Sequence, residues 1–410
     1  MDWRSSKLSD LLEKVIDNRG KTPPLANGGI ELIETTSLTG GGKFPDYSLV
    51  RKHVSKETFN TWFRAGHPRK GDILVATVGA NIGSAAMMME ARGCVAQNLV
   101  GLRADATRAS PDFLYSYLTW NRTRDELKRM DIGSAQPSLK VPHLLNVEIP
   151  LPPLPEQRRI AGILSAYDEL MENSQRRIRI LETMARSLYR EWFVHFRFPG
   201  HEAVPRVPSP LGPIPLGWEI CSLGDVVQLK SGFAFKSDTF TADGEHRLVT
   251  IKNVQDGAFN PESDSRMCEL PAKLPSYCVL HDGDILLSLT GNVGRVCLVY
   301  DGPFLLNQRV SKLVPVAAYD WAMTYCMFRE PVMRVKLEQL SNGVAQQNLS
   351  PVLASKMEFV RSPQELRQRF ATLAEPMLRR IIQHHSTIQN LRQTRDLLLP
   401  RLLTGDCTLK

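Results

Sequence analysis

No stretch of this 410-residue chain approaches the ~18 apolar residues that a membrane span requires. The opening MDWRSSKLSD lacks the apolar run of a signal peptide, so a soluble, cytoplasmic protein is expected. The seven cysteines (Cys94, Cys221, Cys268, Cys278, Cys297, Cys326 and Cys407) stand singly, without a C-x-x-C pair, and are odd in number. That pattern argues against a disulfide framework and against a zinc knuckle. Aromatic residues make up only 7% of the chain, and neither sign of charge dominates, 51 Lys and Arg facing 43 Asp and Glu. The resulting +8 permits an anionic partner without demanding one.

Signatures of catalysis are missing as well. Arg19-Gly20-Lys21-Thr22 resembles the end of a phosphate-binding loop, but Val15 stands where that loop needs glycine. Gly40-Gly41-Gly42 does not have G-x-G-x-x-G spacing and reads as a loop, which leaves no dinucleotide site. His384-His385 has no carboxylate or further histidine three or four residues away to complete a metal site. The chain holds no H-E-x-x-H, no G-x-S-x-G, no kinase set, and no N-P-P-Y or D-P-P-Y string of the amino-group methyltransferases.

What the chain does have is an internal repeat at about 210 residues, the kind of self-similarity that fixes an architecture. GDILVATVGANIG at 71 to 83 returns as GDILLSLTGNVG at 283 to 294, and GSAQPSL at 133 to 139 returns as GVAQQNL at 343 to 349. Trp3 with Leu8-Ser9-Asp10 matches Trp218 with Leu223-Gly224-Asp225. Each unit closes on a long helical pattern, one from Pro155 and the other from Arg367.

In the first pattern Leu164, Met171, Ile178, Ala185 and Trp192 recur every seven residues, interleaved by Tyr167, Ser174, Leu181 and Leu188. A shift of 210 carries the phase into the second: Ala374, Ile381, Ile388, Arg395 and Leu402, interleaved by Met377, His384, Leu391 and Leu398. An a/d seam kept over four to five heptads wants a partner helix, and each helix is the simplest partner for the other. Parallel and antiparallel pairing both satisfy the seam. A helix of about 40 residues would be about 60 Å long, the length of a spacer. Pro150, Pro152, Pro153 and Pro155 stiffen the approach to the first helix, Pro363 precedes the second, and Pro400 with Gly405 marks its fraying end.

These boundaries divide the chain into a globular segment 1–150, a helix 151–197, a Pro/Gly-rich linker 198–217, a second globular segment 218–362 and a closing helix 363–410. Both globular segments mix short β-like runs (Ile73 to Val78; Ile285 to Leu289; Val296 to Tyr300) with glycine turns and one helical stretch, Asp112 to Met130 or Asp320 to Leu340. The fold class is α+β. The second globular segment is net negative and the linker neutral, while the first segment and both helices are net positive, so a nucleic-acid contact in the second segment needs a locally basic face.

The repeated glycine block has two readings. In the structural one, Asp72 and Asp284 sit in the tight turn before a strand and the asparagines cap the loop. In the functional one, Asn81, Asn292 and Arg295 meet a phosphate or a base edge. Gln136, Gln346 and Gln347 could pair with adenine through N6 and N7 or could cap loops. The further candidates for DNA contact are Arg19, Lys21, Thr22 and Lys43 in the first segment and Lys230, Lys236 and Lys252 in the second.

P-L-P-E-Q-R-R-I-A-x-I-L before the first long helix, L-L-P-R-L-L-T-G closing the second, and two variable segments, one ahead of each helix, resemble the specificity (S) subunits of type I restriction-modification systems. Residues 150 to 193 and 391 to 405 carry most of the likeness, and the second helix departs from it where P-P-x-x-E-Q becomes Ser362-Pro363-Gln364-Glu365-Leu366-Arg367. The resemblance implies two target recognition domains joined by an antiparallel pair of helices in a pseudo-twofold molecule, each domain reading half of a bipartite double-stranded DNA site. It implies methyltransferase and restriction/translocase subunits as partners, docked in part through outward helix residues such as Arg158, Arg159, Glu172, Arg176 and Arg177. S-adenosylmethionine, ATP and Mg²⁺ would belong to those partners and none to this chain, which would not be an enzyme or touch a membrane. Two alternatives stand beside it: a specificity subunit serving a single combined nuclease-methylase, and a coiled-coil adaptor that binds no DNA.

Overall fold

The fold was analysed in a computed structural model, which describes residues 3–38, 42–79, 81–130, 138–241, 243–263, 265–341 and 347–404. In chain order the elements that position the candidate site are β1 (Leu12–Ile16), β2 (Ile73–Ala76), β3 (Ala85–Met87), β4 (Leu99–Ala104), α1 (Pro111–Thr119), α2 (Asn121–Arg129) and α3 (Leu154–Tyr189). They are followed by β5 (Val227–Ser231), β6 (Ile285–Ser288), β7 (Val296–Leu298), β8 (Val310–Pro315), α4 (Trp321–Phe328), α5 (Pro331–Gln339) and α6 (Gln364–Thr404). Contacts divide the chain into two compact units, residues 1–173 with 390–410, and residues 174–389. Both long helices therefore contribute to both units. None of the described helices is long and apolar enough to cross a membrane.

In the first unit β1, β4, β2 and β3 form a four-stranded antiparallel sheet in that order. Strand β2, Ile-Leu-Val-Ala, is buried at every position because the sheet is covered on both faces. One face packs Ile73, Val75, Val100 and Leu102 against Phe113, Leu114 and Leu118 of α1, while Leu74, Ala76, Ile16 and Leu99 meet Ile33 and Val95 of a smaller three-stranded sheet. Ile160, Ala161 and Leu164 of α3 share the main core with Leu399, Leu402 and Leu403 of α6. A little further along α3, Asp168 accepts from Arg395 Nη1 at 2.7 Å, further back along α6. The two helices thus run antiparallel here.

The second unit repeats the plan. Strands β5, β8, β6 and β7 are ordered as in the first sheet, and β6 is again buried throughout. Near the end of α3 Tyr189, and in the π turn that follows it Trp192 and Phe193, stack around Phe370 at the start of α6, with ring centroids 6.1, 6.0 and 5.1 Å away. Here too the pairing is antiparallel.

The heptad positions Leu164, Met171, Ile178, Ala185, Trp192, Ile381, Ile388 and Leu402 are buried, whereas Tyr167, Leu181, Leu188, Met377, Leu391 and Leu398 are half-buried. Phe370, Leu378, Ile382, Leu399 and Leu403 add to the stripe on α6, which is wider than two positions in seven because that helix also covers globular parts.

Three sequence expectations are corrected. The single helical stretch of each globular segment is two helices. Trp120 adopts an extended backbone between α1 and α2, and Glu330 does so before Pro331, as a residue preceding proline prefers. Helix α6 continues past Pro400 to Thr404, its last turn burying Leu399, Leu402 and Leu403, and Gly405 lies outside the described residues. The segment 198–217 is more than a spacer. It holds a two-stranded ladder, Arg206–Val207 with Ile214–Pro215, and Phe198 packs on Trp218 with rings 5.7 Å apart. The six described cysteines are free thiols.

Candidate nucleic-acid interface

Antiparallel order brings the end of β1, the end of β2 and the start of β4 to one end of the first sheet. The loops at that end are tied by backbone bonds. Thr77 N donates to Asn98 O at 2.8 Å, Leu139 N donates to Thr77 O at 2.8 Å, and Gly83 N closes back on Ala76 O at 2.9 Å. Residues 17 to 22, 77 to 79, 81 to 83, 96 to 98 and 138 to 139 therefore form one polar edge. The glycines of the repeated block are what let the chain turn there: Gly79 and Gly83 have φ of 89° and 77°, in the left-handed region that other residues avoid.

The second sheet builds the same edge. Leu289 N donates to Arg309 O at 3.0 Å, Leu349 N to Leu289 O at 2.8 Å and Gly291 N to Gln347 O at 3.1 Å. Thr290 Oγ1 donates to Asn348 Oδ1 at 2.9 Å. Gly291 and Gly294 take φ of 75° and 81°. The two repeated sequence blocks thus meet in space in both units, which their separation of about 60 residues does not reveal.

Asp72 and Asp284 lie at the other end of their strands and are structural. Asp72 accepts a bidentate pair from Arg103 at 3.0 and 2.8 Å and caps Arg69 N, while Asp284 accepts from Lys312 Nζ at 2.7 Å and from His281 N.

Of the candidates in the first unit, Arg19, Lys21, Thr22 and Asn81 gather on the polar edge. Arg19 is bound bidentately to Asp17 at 2.8 Å on both arms, and its guanidinium holds the Asp17 carboxyl below the usual carboxylate range. Lys21 and Thr22 are exposed. Lys43 is elsewhere, its Nζ donating to Asp112 at 2.7 Å and to Ser165 of α3 at 2.9 Å, so that it fastens the globular part to the helix. Gln136 lies outside the described residues.

In the second unit Asn292, Arg295 and Gln347 gather on the corresponding edge. Arg295 Nη1 donates to Gln255 Oε1 at 2.6 Å. Lys236 follows the end of β5 and lines a cavity of about 500 Å³ with Phe233, Phe235, Thr239 and Met267. Lys230 sits within β5, its ammonium 5.3 Å from the Tyr277 ring centre, and Lys252 is an exposed loop residue after a neighbouring strand. Gln346 lies outside the described residues.

The structure also exposes a block that sequence reading missed. Gln97-Asn98 before β4 and Gln308-Arg309 before β8 occupy equivalent places, 211 residues apart. Gln97 holds a left-handed φ of 55° and donates from Nε2 to Thr22 Oγ1 at 2.5 Å. Its signal in sequence is a single repeated glutamine, too little to stand out. Among the described residues no three His, Cys, Asp or Glu side chains group as a metal site.

Comparison with known proteins accords with this arrangement. The family model described as type I restriction modification DNA specificity domain matches residues 1–183 and 215–351. The type I restriction enzyme MjaIX specificity subunit of Methanocaldococcus jannaschii is 29% identical over 307 residues, covering 72% of this chain and 68% of the relative. The HindI specificity subunit of Haemophilus influenzae is 21% identical over 371 residues, 76% of this chain and 81% of its own. The crystal structure of a type I restriction-modification S subunit from M. genitalium superposes with a TM-score of 0.58 at 18% identity, covering 100% of this chain and 97% of that one, a likeness of fold. With two glycine-turn edges on duplicated sheets and a family model spanning both, the chain belongs to the type I restriction-modification specificity subunit family, whose work is DNA sequence recognition.

Proposed function

We propose that the chain reads a bipartite double-stranded DNA target, each unit recognising one half-site through its polar sheet edge, while the two long helices fix the unread gap. The observation that carries this reading is the repetition of the same edge, built from the same backbone bonds, in two units of one chain. Two short readers held together gain contacts that neither gains alone, and the spacing between them becomes part of the specificity.

The chemistry of methylation and cleavage resides in partners. The outward faces of α3 and α6 dock methyltransferase subunits, and restriction/translocase subunits join them. S-adenosylmethionine, ATP and Mg²⁺ bind those subunits and not this one. A single combined nuclease-methylase partner would serve the same reader equally well, and co-purification from the native host distinguishes the two.

The direct test is DNA binding by the full chain with its methyltransferase partner across a salt series. Affinity should fall steeply with salt for any duplex, and a split target should be preferred. Lys21→Ala should weaken binding to all duplexes and flatten the salt dependence, since an exposed lysine contributes charge and no base discrimination. Binding that ignores both salt and sequence would favour the adaptor reading.

A further inference from the structure

The repeat makes Asn98 and Arg309 counterparts, and the fold treats them alike. Each precedes the first residue of the second strand in its sheet order, Leu99 of β4 or Val310 of β8. Each carbonyl accepts from the backbone nitrogen just past the buried central strand, Thr77 N at 2.8 Å or Leu289 N at 3.0 Å. Each side chain is exposed, with no hydrogen-bond or ion-pair partner among the described residues, and each follows a glutamine. The backbone is pinned, and no described residue engages the side chain.

The arginines among the candidates on the two edges are engaged inside the fold, Arg19 with Asp17 and Arg295 with Gln255. Asn98 and Arg309 differ in one respect that matters for DNA. A planar amide matches adenine through N6 and N7, whereas a guanidinium matches guanine through O6 and N7. A side chain on a rigid strand end is also better placed to discriminate than one on a free loop.

We propose that Asn98 and Arg309 are equivalent base-reading residues, Asn98 selecting an adenine in one half-site and Arg309 a guanine in the other. This deepens the DNA-reading assignment and rests on it. The duplicated scaffold presents one variable position twice, and the residue placed there sets the base.

The test is selection from a duplex library randomised in both half-sites, using the full-length chain co-purified with its methyltransferase partner. Wild type should fix an adenine in one half and a guanine in the other. Asn98→Arg should move one position of the first half from adenine to guanine, and Arg309→Asn should move one position of the second half from guanine to adenine. Each preference should change by about tenfold or more, the other half-site keeping its pattern. If Asn98→Arg fails to fold, Asn98→Ala and Arg309→Ala, which keep the pinned backbone, must each lose preference at one position only. Variants that bind DNA with wild-type base preferences at every position would overturn the assignment of these two residues and leave the bipartite reading standing. A wild-type complex that selects no sequence would overturn both.

Discussion

Asp320 and Arg367 show how a single buried pair can matter. The aspartate precedes α4 and the arginine sits in the first turn of α6, with side chains only 2% and 10% exposed. Burial raises the Asp320 carboxyl above its usual range even with the Arg367 guanidinium against it. Removing one partner strands the other charge, so Arg367→Met should cost about 3–5 kcal/mol in denaturant unfolding. The paired change Asp320→Leu with Arg367→Met should recover most of that loss. An equal loss in the single and double variants would show that the site needs the charges themselves. His385 supplies a pH dependence: its ring stacks on Tyr300 at 4.4 Å, and burial, aided by the neighbouring His384, lowers its pKa to about 4. Above pH 6.5 the imidazole is neutral folded or unfolded. Between pH 6.5 and 4 the unfolded chain takes up a proton that the fold refuses, so stability falls with acidification, by up to about 3 kcal/mol. His385→Phe should flatten that part of the curve, and an unchanged slope would assign it to other groups.

At the scale of elements, the glycine block explains itself through backbone conformation. Gly83 has φ of 77° and room for a Cβ beside Leu127, so Gly83→Ala should lose about 1–2 kcal/mol through conformation alone, measured by denaturant unfolding. The helices were legible in sequence because a seven-residue period survives any local noise, and the strands because β2 and β6 are apolar at nearly every position. The break at Trp120 was not legible: it follows no proline, and α2 continues with good helix formers. Lys43 looked like a DNA contact because its partners Asp112 and Ser165 lie 69 and 122 residues away, beyond any local pattern. The Asn98 and Arg309 positions were hidden for the opposite reason, since a specificity position that differs between repeats erases the similarity that would mark it.

For the whole molecule, the proposal is a reader of two half-sites whose gap depends on the two helices. Helix α3 runs unbroken through residue 173 and α6 through residue 389. Four residues inserted in both helices at those points would add ~6 Å to each, close to two base pairs at 3.4 Å. The recognised gap should lengthen while both half-sites stay the same, and an unchanged gap would remove the spacer role. The central claim is tested most directly by a genome-wide map of methylated adenine in cells expressing this chain with its methyltransferase partner, set against cells with the partner alone. A split motif, two short half-sites around a fixed unread gap and present only with this chain, is the predicted result. Methylation at one short continuous site would leave one of the two polar edges without a function and would contradict the account.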